Sequence, residues 1–120
     1  MPMICYGYRN CSTCRDALKW LKAKGIVVES REIRETPPTP DELAFALKAL
    51  GGERRKLFNT SGAEFRSLGL KDKIDAAAEN ELFQWIQEQG NLCKRPLLID
   101  LAKDLVLVGF QPDAWEAALG

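Results

Sequence analysis

The chain has 120 residues, of which 46% are hydrophobic and 28% charged, a composition typical of a single soluble globular domain that excludes a disordered, collagen-like or disulfide-dense chain. Its 17 basic and 17 acidic residues cancel, so no overall field draws the protein to nucleic acid or to an anionic membrane. The sequence contains no histidine, which excludes an imidazole general base and any histidine metal ligand.

No apolar run approaches the ~20 residues that cross a bilayer, and residues 1–6 lack the charged and apolar regions of a signal peptide. These observations predict a cytoplasmic protein without a membrane partner. In that compartment the four cysteines are expected to be reduced in the resting state.

The first third of the chain predicts a strand, a helix and a second strand. Residues 3–6 are a short apolar run interrupted by Gly7, and apolar residues then recur at helical spacing up to Gly25, a residue type that follows helix ends. Residues 26–28 begin the second strand, and the apolar run weakens into an alternating pattern up to residue 33. A helix between two strands favours a parallel, right-handed crossover.

The middle of the chain, about residues 36–92, predicts a helical block. Thr39 and Glu42 form a capping-box pattern at the start of a helix. Residues 53–69 are short and polar-rich, and a longer helix is predicted from about residue 75 to 89. The expected apolar anchors between the two helices are Leu57, Phe58, Phe65 and Leu68.

The last third returns to strands. Residues 96–100 and 105–109 are apolar runs on either side of a turn at 103–104, which predicts a hairpin. Pro112 then begins a terminal helix. The predicted order is strand-helix-strand, helices, strand-strand-helix, in one α/β domain that spans residues 1–120.

Cys11 and Cys14 stand where the first strand passes into the first helix. The helix dipole favours a thiolate there by only about 0.3–1 kcal/mol, less than the ~1.4 kcal/mol of one pKa unit. Turn N–H groups and a nearby cation such as Arg15 are therefore expected to add to it. We favour redox chemistry over two buried apolar thiols because of the strand-to-helix context, and over half of a zinc site because no second metal-binding pair is present.

Three other positions have alternative interpretations. Cys5 alternates within an apolar strand and is expected in the core. Cys93 is expected to be a loop residue, with a redox role beside Cys11 as the alternative. Residue statistics favour a trans peptide bond before Pro96, because only ~5–6% of X–Pro bonds are cis. Arg95 is either a solvated side chain or an anion ligand.

Four segments together resemble the arsenate reductase (ArsC)/Spx/YffB family, and are closest to its YffB/Spx-like branch. They are residues 11–15, 57–62, 94–98 and 107–110, and they match in order over nearly the whole chain. The resemblance implies a thioredoxin-like fold in which a helical insertion, about residues 36–92, separates a βαβ half from a ββα half.

The resemblance also implies roles for individual residues. Cys11 matches the nucleophile, and Arg95 matches an arginine that precedes a cis proline, here Pro96, and binds anions or stabilises the thiolate. Asn59, Thr60 and Lys94 match the YffB branch, whose members are proposed to be glutathione-dependent thiol reductases. We therefore predict that the substrate-binding residues are Asn59, Thr60, Lys94 and Pro96.

The first functional hypothesis is a monomeric thiol–disulfide oxidoreductase of the ArsC-like family. Cys11 attacks a protein disulfide or a glutathione mixed disulfide, and Cys14 or glutathione resolves the product, while Arg15 and Arg95 support the thiolate. Glutathione is the expected co-substrate, with no bound cofactor and no metal.

Two other hypotheses follow from the resemblance. The Cys11–Cys14 spacing is shared with Spx, a redox-sensing transcription regulator that binds RNA polymerase, but Spx continues well beyond its last core helix whereas this chain ends at Gly120. The reductase is therefore favoured. Arsenate reduction is less favoured still, because arsenate reductases of this type carry two further arginines where this chain has Asn59 and Gly109.

Overall fold

The structure is a computed structural model that describes residues 3–120. Met1 and Pro2 lie outside the described residues. They belong to the segment, residues 1–6, in which the sequence predicts no signal peptide. The strands are β1 (Met3–Gly7), β2 (Val28–Glu32), β3 (Leu97–Asp100) and β4 (Leu105–Val108). The helices are α1 (Ser12–Ala23), α2 (Pro40–Ala49), α3 (Arg54–Leu57), α4 (Ala63–Ser67), α5 (Glu79–Glu88) and α6 (Pro112–Leu119).

The four strands form one sheet in the order β2-β1-β3-β4. β1 pairs in parallel with β2, and β3 runs antiparallel to both β1 and β4, so the predicted parallel pairing and hairpin are confirmed. In consequence β1 ends with Gly7 and β2 ends with Glu32 at the same end of the sheet, and β3 begins there with Leu97. We call this the Cys11 end of the sheet, because Cys11 follows β1 by four residues.

Each face of the sheet is covered by its own hydrophobic core, because neighbouring residues of a strand point to opposite faces. On one face Leu97 and Ile99 belong to a large core with the helices of the insertion. On the other face Leu98 belongs to a smaller core. That smaller core also contains Cys5, Ala17, Leu21 and Trp115, from β1, α1 and α6.

The start of α2 anchors the insertion to the sheet. Thr39 and Glu42 form the predicted capping box, with the Glu42 backbone N–H 3.1 Å from Thr39 Oγ1 and the Thr39 backbone N–H 2.9 Å from Glu42 Oε1. The same carboxylate oxygen accepts a hydrogen bond of 2.6 Å from the hydroxyl of Tyr6, a fully buried residue of β1. Burial and this bond raise the pKa of Tyr6. One carboxylate therefore caps a helix and ties it to the central strand.

Three local expectations are wrong. β2 begins at Val28 rather than at residue 26, and Val27 is 81% exposed, because the chain is still leaving α1 at that point. α5 is shorter than predicted, because Arg54 donates hydrogen bonds to the carbonyl groups of Ile74 and Ala77 and so holds residues 74–77 as a separate turn. Leu68 is 41% exposed and is not an anchor, whereas the other three predicted anchors are buried.

None of the helices within residues 3–120 is long and apolar enough to cross a membrane.

Candidate active site

Cys11 is the N-cap residue of α1. Its backbone is extended, at φ −96° and ψ 112°, and its sulfur accepts a hydrogen bond of 3.3 Å from the backbone N–H of Cys14. The backbone N–H of Cys11 in turn donates to the carbonyl of Tyr8 at 2.9 Å. The partly exposed sulfur is therefore held at the start of the helix, facing the donors that a thiolate needs.

The pKa of Cys11 is lowered by the balance of opposing effects. Burial raises it, but hydrogen bonds from the thiol and the backbone N–H of Cys14 lower it, and the positive charge of Arg95 lowers it further. The net direction is downward. The sequence alone predicts this direction, because it places Cys11 at a helix start where turn N–H groups and a nearby cation add to the effect of the helix dipole.

Cys14 differs from Cys11 in its burial, since it is only 2% exposed. Gly7 makes room for it: a Cβ atom at Gly7 would lie 3.2 Å from Cys14 Cβ and 3.4 Å from its sulfur. Burial, followed by the neighbouring Cys11, raises the pKa of Cys14 to about 12. Near neutral pH the site thus holds one activated sulfur, on Cys11, and one protonated thiol that donates to it.

Arg95 lies two residues before the start of β3, the strand that neighbours β1 in the sheet. Its guanidinium donates a hydrogen bond of 2.8 Å to the carbonyl of Asn91, and its Cζ lies 5.9 Å from the ring centroid of Tyr8. The peptide bond between Arg95 and Pro96 is cis. The trans bond expected from residue statistics is therefore wrong, and the cis bond implied by the family resemblance is confirmed.

Arg15 has a different environment from the one expected. Its guanidinium donates a hydrogen bond of 2.6 Å to the carbonyl of Arg9 and so ties α1 to the turn before Cys11. The cation whose charge lowers the pKa of Cys11 is Arg95. In this structure Arg15 holds the turn together.

The predicted substrate-binding residues lie on two neighbouring segments, 57–60 and 92–96. Backbone hydrogen bonds join Asn59 N–H to the Leu92 carbonyl at 2.7 Å and Lys94 N–H to the Leu57 carbonyl at 2.8 Å. Lys94 and Thr60 are exposed, and Pro96 is buried. The pairing places these residues beside the segment that carries Arg95, whose charge acts on Cys11.

The two remaining cysteines are buried. Cys5 lies in the smaller core, as expected, and burial raises its pKa to about 11. Cys93 lies in the connection before β3, as expected of a loop residue, but it is buried: it forms an isolated β-bridge with Phe58, is 0% exposed, and has a pKa that burial raises to about 12.

Two residues near the site, Tyr8 and Arg34, are not predicted from the sequence. Arg34 donates a hydrogen bond of 2.8 Å to the hydroxyl of Tyr8, and its Cζ lies 4.9 Å from the centre of that ring. The signal that could have found them is the predicted parallel pairing, because residues that directly follow two parallel strands meet at the same end of a sheet. Tyr8 follows β1, and Arg34 follows β2 after one residue.

The fold and the site define a thioredoxin-like protein in which a cysteine pair starts the first helix and a cis proline precedes the third strand. More specifically, the chain belongs to the ArsC family, whose model matches residues 6–118.

Several curated relatives are similar over most of their length. The Bacillus subtilis protein YusI, described as uncharacterized, is 40% identical over 97% of this chain and 97% of its own. The regulatory protein MgsR of Bacillus subtilis is 30% identical over 89% of this chain and 82% of its own. The global transcriptional regulator Spx of Listeria monocytogenes is 28% identical over 90% of this chain and 79% of its own.

Solved structures agree with the fold. An ArsC family related protein of Bacteroides fragilis has a TM-score of 0.84 and 37% sequence identity, and the match covers 98% of each chain. A protein named YffB has a TM-score of 0.81 and 27% identity, and the match covers 98% of this chain and 99% of the other. These similarities confirm the family and the thioredoxin-like architecture.

Proposed function

We propose that the protein is a glutathione-dependent thiol–disulfide oxidoreductase with Cys11 as its nucleophile. The observation that carries the proposal is the asymmetry of the pair: the partly exposed Cys11 sulfur accepts a hydrogen bond from the Cys14 backbone at 3.3 Å, whereas the Cys14 thiol is buried. A lowered pKa increases the fraction of Cys11 that is thiolate, and the thiolate is the form that attacks disulfides.

The proposed reaction exchanges one disulfide for another. The Cys11 thiolate attacks the glutathione sulfur of a mixed disulfide, the original S–S bond breaks, and the substrate leaves as a thiolate that takes a proton from water. A glutathione thiolate then attacks the glutathione sulfur of the Cys11 adduct, which releases Cys11 and forms glutathione disulfide. In the alternative route Cys14 loses its proton, attacks Cys11 and expels glutathione, and two further glutathione molecules reduce the resulting disulfide.

The other predicted residues support these steps. Arg95 stabilises the Cys11 thiolate by its charge, and Arg15 keeps the preceding turn in place through the Arg9 carbonyl. We assign the approaching substrate to the surface beside Asn59, Thr60, Lys94 and Pro96, on the two segments that lead to Arg95.

A coupled assay with the mixed disulfide of cysteine and glutathione tests the proposal. We expect the chain to reduce it with glutathione as the electron donor, and Cys11→Ser to abolish turnover. Cys5→Ala is the matched control, because Cys5 lies in the smaller core, and it is expected to retain turnover. Absence of turnover by a protein whose Cys11 still reacts with iodoacetamide would refute the proposal.

A redox-switched regulator that binds RNA polymerase is the second candidate. Its support is that two of the relatives are named as regulators, MgsR and Spx. In this candidate, oxidation of Cys11 and Cys14 to a disulfide changes a binding surface. A pull-down with purified RNA polymerase, using the reduced and the oxidised chain, distinguishes it: capture by one redox form, without disulfide reductase turnover, favours the regulator.

Arsenate is not the substrate that this site favours. Gly109 has a φ of +74°, so an arginine there would be strained, and Asn59 supplies an amide instead of a charge. Arsenate turnover near background, measured with glutathione and glutaredoxin, is the expected result.

A further inference from the structure

A groove of about 400 Å³ lies beside the turn that leads to Cys11. Its volume is within the ~300–1,000 Å³ range of small-molecule pockets. Asn10, which lines it, directly precedes Cys11, so the groove begins one residue away from the nucleophile. The lining residues are Tyr8, Arg9, Asn10, Glu32, Arg34 and Glu35.

The groove contains charges of both signs. Two arginines and two glutamates line it, yet none of the four has an ion-pair partner within 4.0 Å among residues 3–120. The ion pairs of the described residues lie elsewhere: Lys24–Glu116, Arg31–Glu29, Arg55–Asp75 and Lys56–Glu53. A groove with opposite, mutually unpaired charges is complementary to a ligand that carries both charges.

Glu32 supplies the acceptor for a positive group. It pairs with Gly7 in the parallel register, and its Oε2 accepts one long hydrogen bond of 3.4 Å from the backbone N–H of Arg9. Its Oε1 is buried and has no hydrogen-bond partner within residues 3–120. Because a buried carboxylate oxygen without a donor is unfavourable, an ammonium group is a suitable partner for it.

Arg34 supplies the donors for a negative group. One of its Nη atoms donates to the Tyr8 hydroxyl at 2.8 Å, and its Cζ lies 4.9 Å from the ring centre. Tyr8 thereby fixes the orientation of the guanidinium. A guanidinium has five N–H donors, so after this bond it retains the forked pair that binds a carboxylate.

We propose that this groove binds the zwitterionic α-amino-acid end of the disulfide substrate, with its ammonium group at Glu32 and its carboxylate at Arg34. The inference rests on the proposed function and makes it more specific: for glutathione, the bound part is the γ-glutamyl end, while the glutathione sulfur lies at Cys11.

Three disulfides test the assignment because they differ only at that end. They are glutathione disulfide, the glutaryl-Cys-Gly disulfide, which lacks the ammonium, and the 4-aminobutyryl-Cys-Gly disulfide, which lacks the α-carboxylate. The measurement is the second-order rate constant for forming the Cys11 mixed disulfide, by acid quench and mass spectrometry, divided by the rate of each disulfide with dithiothreitol. We expect glutathione disulfide to react about tenfold faster than either analogue, the effect of one charge-assisted bond.

Variants assign each charge to its residue. Glu32→Gln should remove the preference over the glutaryl analogue and keep the preference over the aminobutyryl analogue, and Arg34→Gln should do the reverse. Ratios are compared because either substitution also changes the field at Cys11. Lys22→Gln, which removes an exposed charge in the last turn of α1, is the control and should preserve both preferences.

The outcomes separate the inference from the proposed function. If no disulfide reacts with Cys11, the proposed function fails. If all three disulfides react at equal normalised rates, the oxidoreductase stands and the groove assignment is overturned. Loss of the ammonium preference in Glu35→Gln instead of Glu32→Gln also overturns the assignment.

Discussion

Cys11 and Cys93 are both close enough to Arg95 for its positive charge to act on them, and in each case that charge favours a lower pKa. Their net states nevertheless differ. At Cys11 the donors of Cys14 add to that charge and outweigh partial burial, so the pKa falls. At Cys93 complete burial dominates, and the pKa rises to about 12. A neighbouring cation is therefore insufficient to activate a cysteine in this protein.

The hydrogen bonds of the two sulfurs explain the difference. The Cys11 sulfur accepts from the backbone N–H of Cys14 at 3.3 Å, which favours the thiolate. The Cys93 sulfur lies 3.5 Å from the carbonyl of Lys94, to which only a protonated thiol can donate. The same atom type is an acceptor in one region and a donor in the other, and solvent access strengthens the contrast.

The largest expected effect is the difference in alkylation rate. With iodoacetamide at pH 7, Cys11 should react at least about a hundredfold faster than Cys93, because only the thiolate reacts and Cys93 is buried and protonated. Time-resolved peptide mass spectrometry measures both rates in one sample. In denaturant the two rates should converge, and equal rates in the native protein would contradict the comparison.

The next largest effect is expected from removing the charge of Arg95, which acts on both Cys11 and Cys93. Arg95→Gln should slow alkylation of Cys11 at pH 6 by about tenfold, because the thiolate loses its nearby positive charge. Arg95→Lys keeps the charge and should recover part of the rate. Lys22→Gln, at the far end of α1, is the control. A larger loss in Arg15→Gln than in Arg95→Gln would return the role to Arg15.

The parts of this site that sequence predicts are those set by local signals. The helix start at Cys11, the capping box at Thr39 and the hairpin that follows Pro96 each depend on residues a few positions apart. The same holds for the core position of Cys5, which follows from strand alternation. These features are confirmed because nearby residues decide them.

The parts that sequence misses depend on distant segments. Cys93 is buried because residues 57–59 pair with residues 92–94, and no local pattern announces that pairing. The charge of Arg95 acts on Cys11 because β3 lies next to β1 in the sheet, a contact that the family resemblance implied and that no local pattern indicates. The cis bond before Pro96 was implied by the family resemblance, since the residue statistics point the other way.

Stability at alkaline pH tests the buried member of the comparison. Folding raises the pKa of Cys93 from 9.0 to about 12, so between these values the unfolded chain loses a proton that the native protein keeps. The contribution of Cys93 to the free energy of unfolding is therefore fully present below pH 9. Between pH 9 and the raised pKa it falls by about 1.4 kcal/mol per pH unit. Urea unfolding of the wild type and Cys93→Ala at pH 8 and pH 10 measures it.

The expected sign is specific. The advantage of the wild type over Cys93→Ala should shrink by more than about 1 kcal/mol between those two pH values. Subtracting the variant removes the contributions of other titrating groups that both proteins share. A difference that is constant with pH would show that Cys93 ionises equally in the folded and unfolded chains.

The smallest effect concerns the donor that distinguishes Cys11 from Cys93. Cys14→Ala removes the thiol hydrogen bond to the Cys11 sulfur and leaves the backbone N–H bond, so the pKa of Cys11 should rise toward its ordinary value. Cys14→Ser keeps a hydroxyl donor and should raise it less. One such bond is worth about 0.5–1.5 kcal/mol, or roughly two- to tenfold in alkylation rate below neutral pH.

The alanine and serine variants separate hydrogen bonding from burial, because each replaces Cys14 in the same buried site beside Gly7. The thiolate absorbance at 240 nm, titrated from pH 4 to 9, gives the order expected: wild type lowest, Cys14→Ser intermediate, Cys14→Ala highest. Identical titrations of the two variants would mean that the side-chain donor contributes nothing. The backbone N–H group of Cys14 and the charge of Arg95 would then account for the lowered pKa of Cys11.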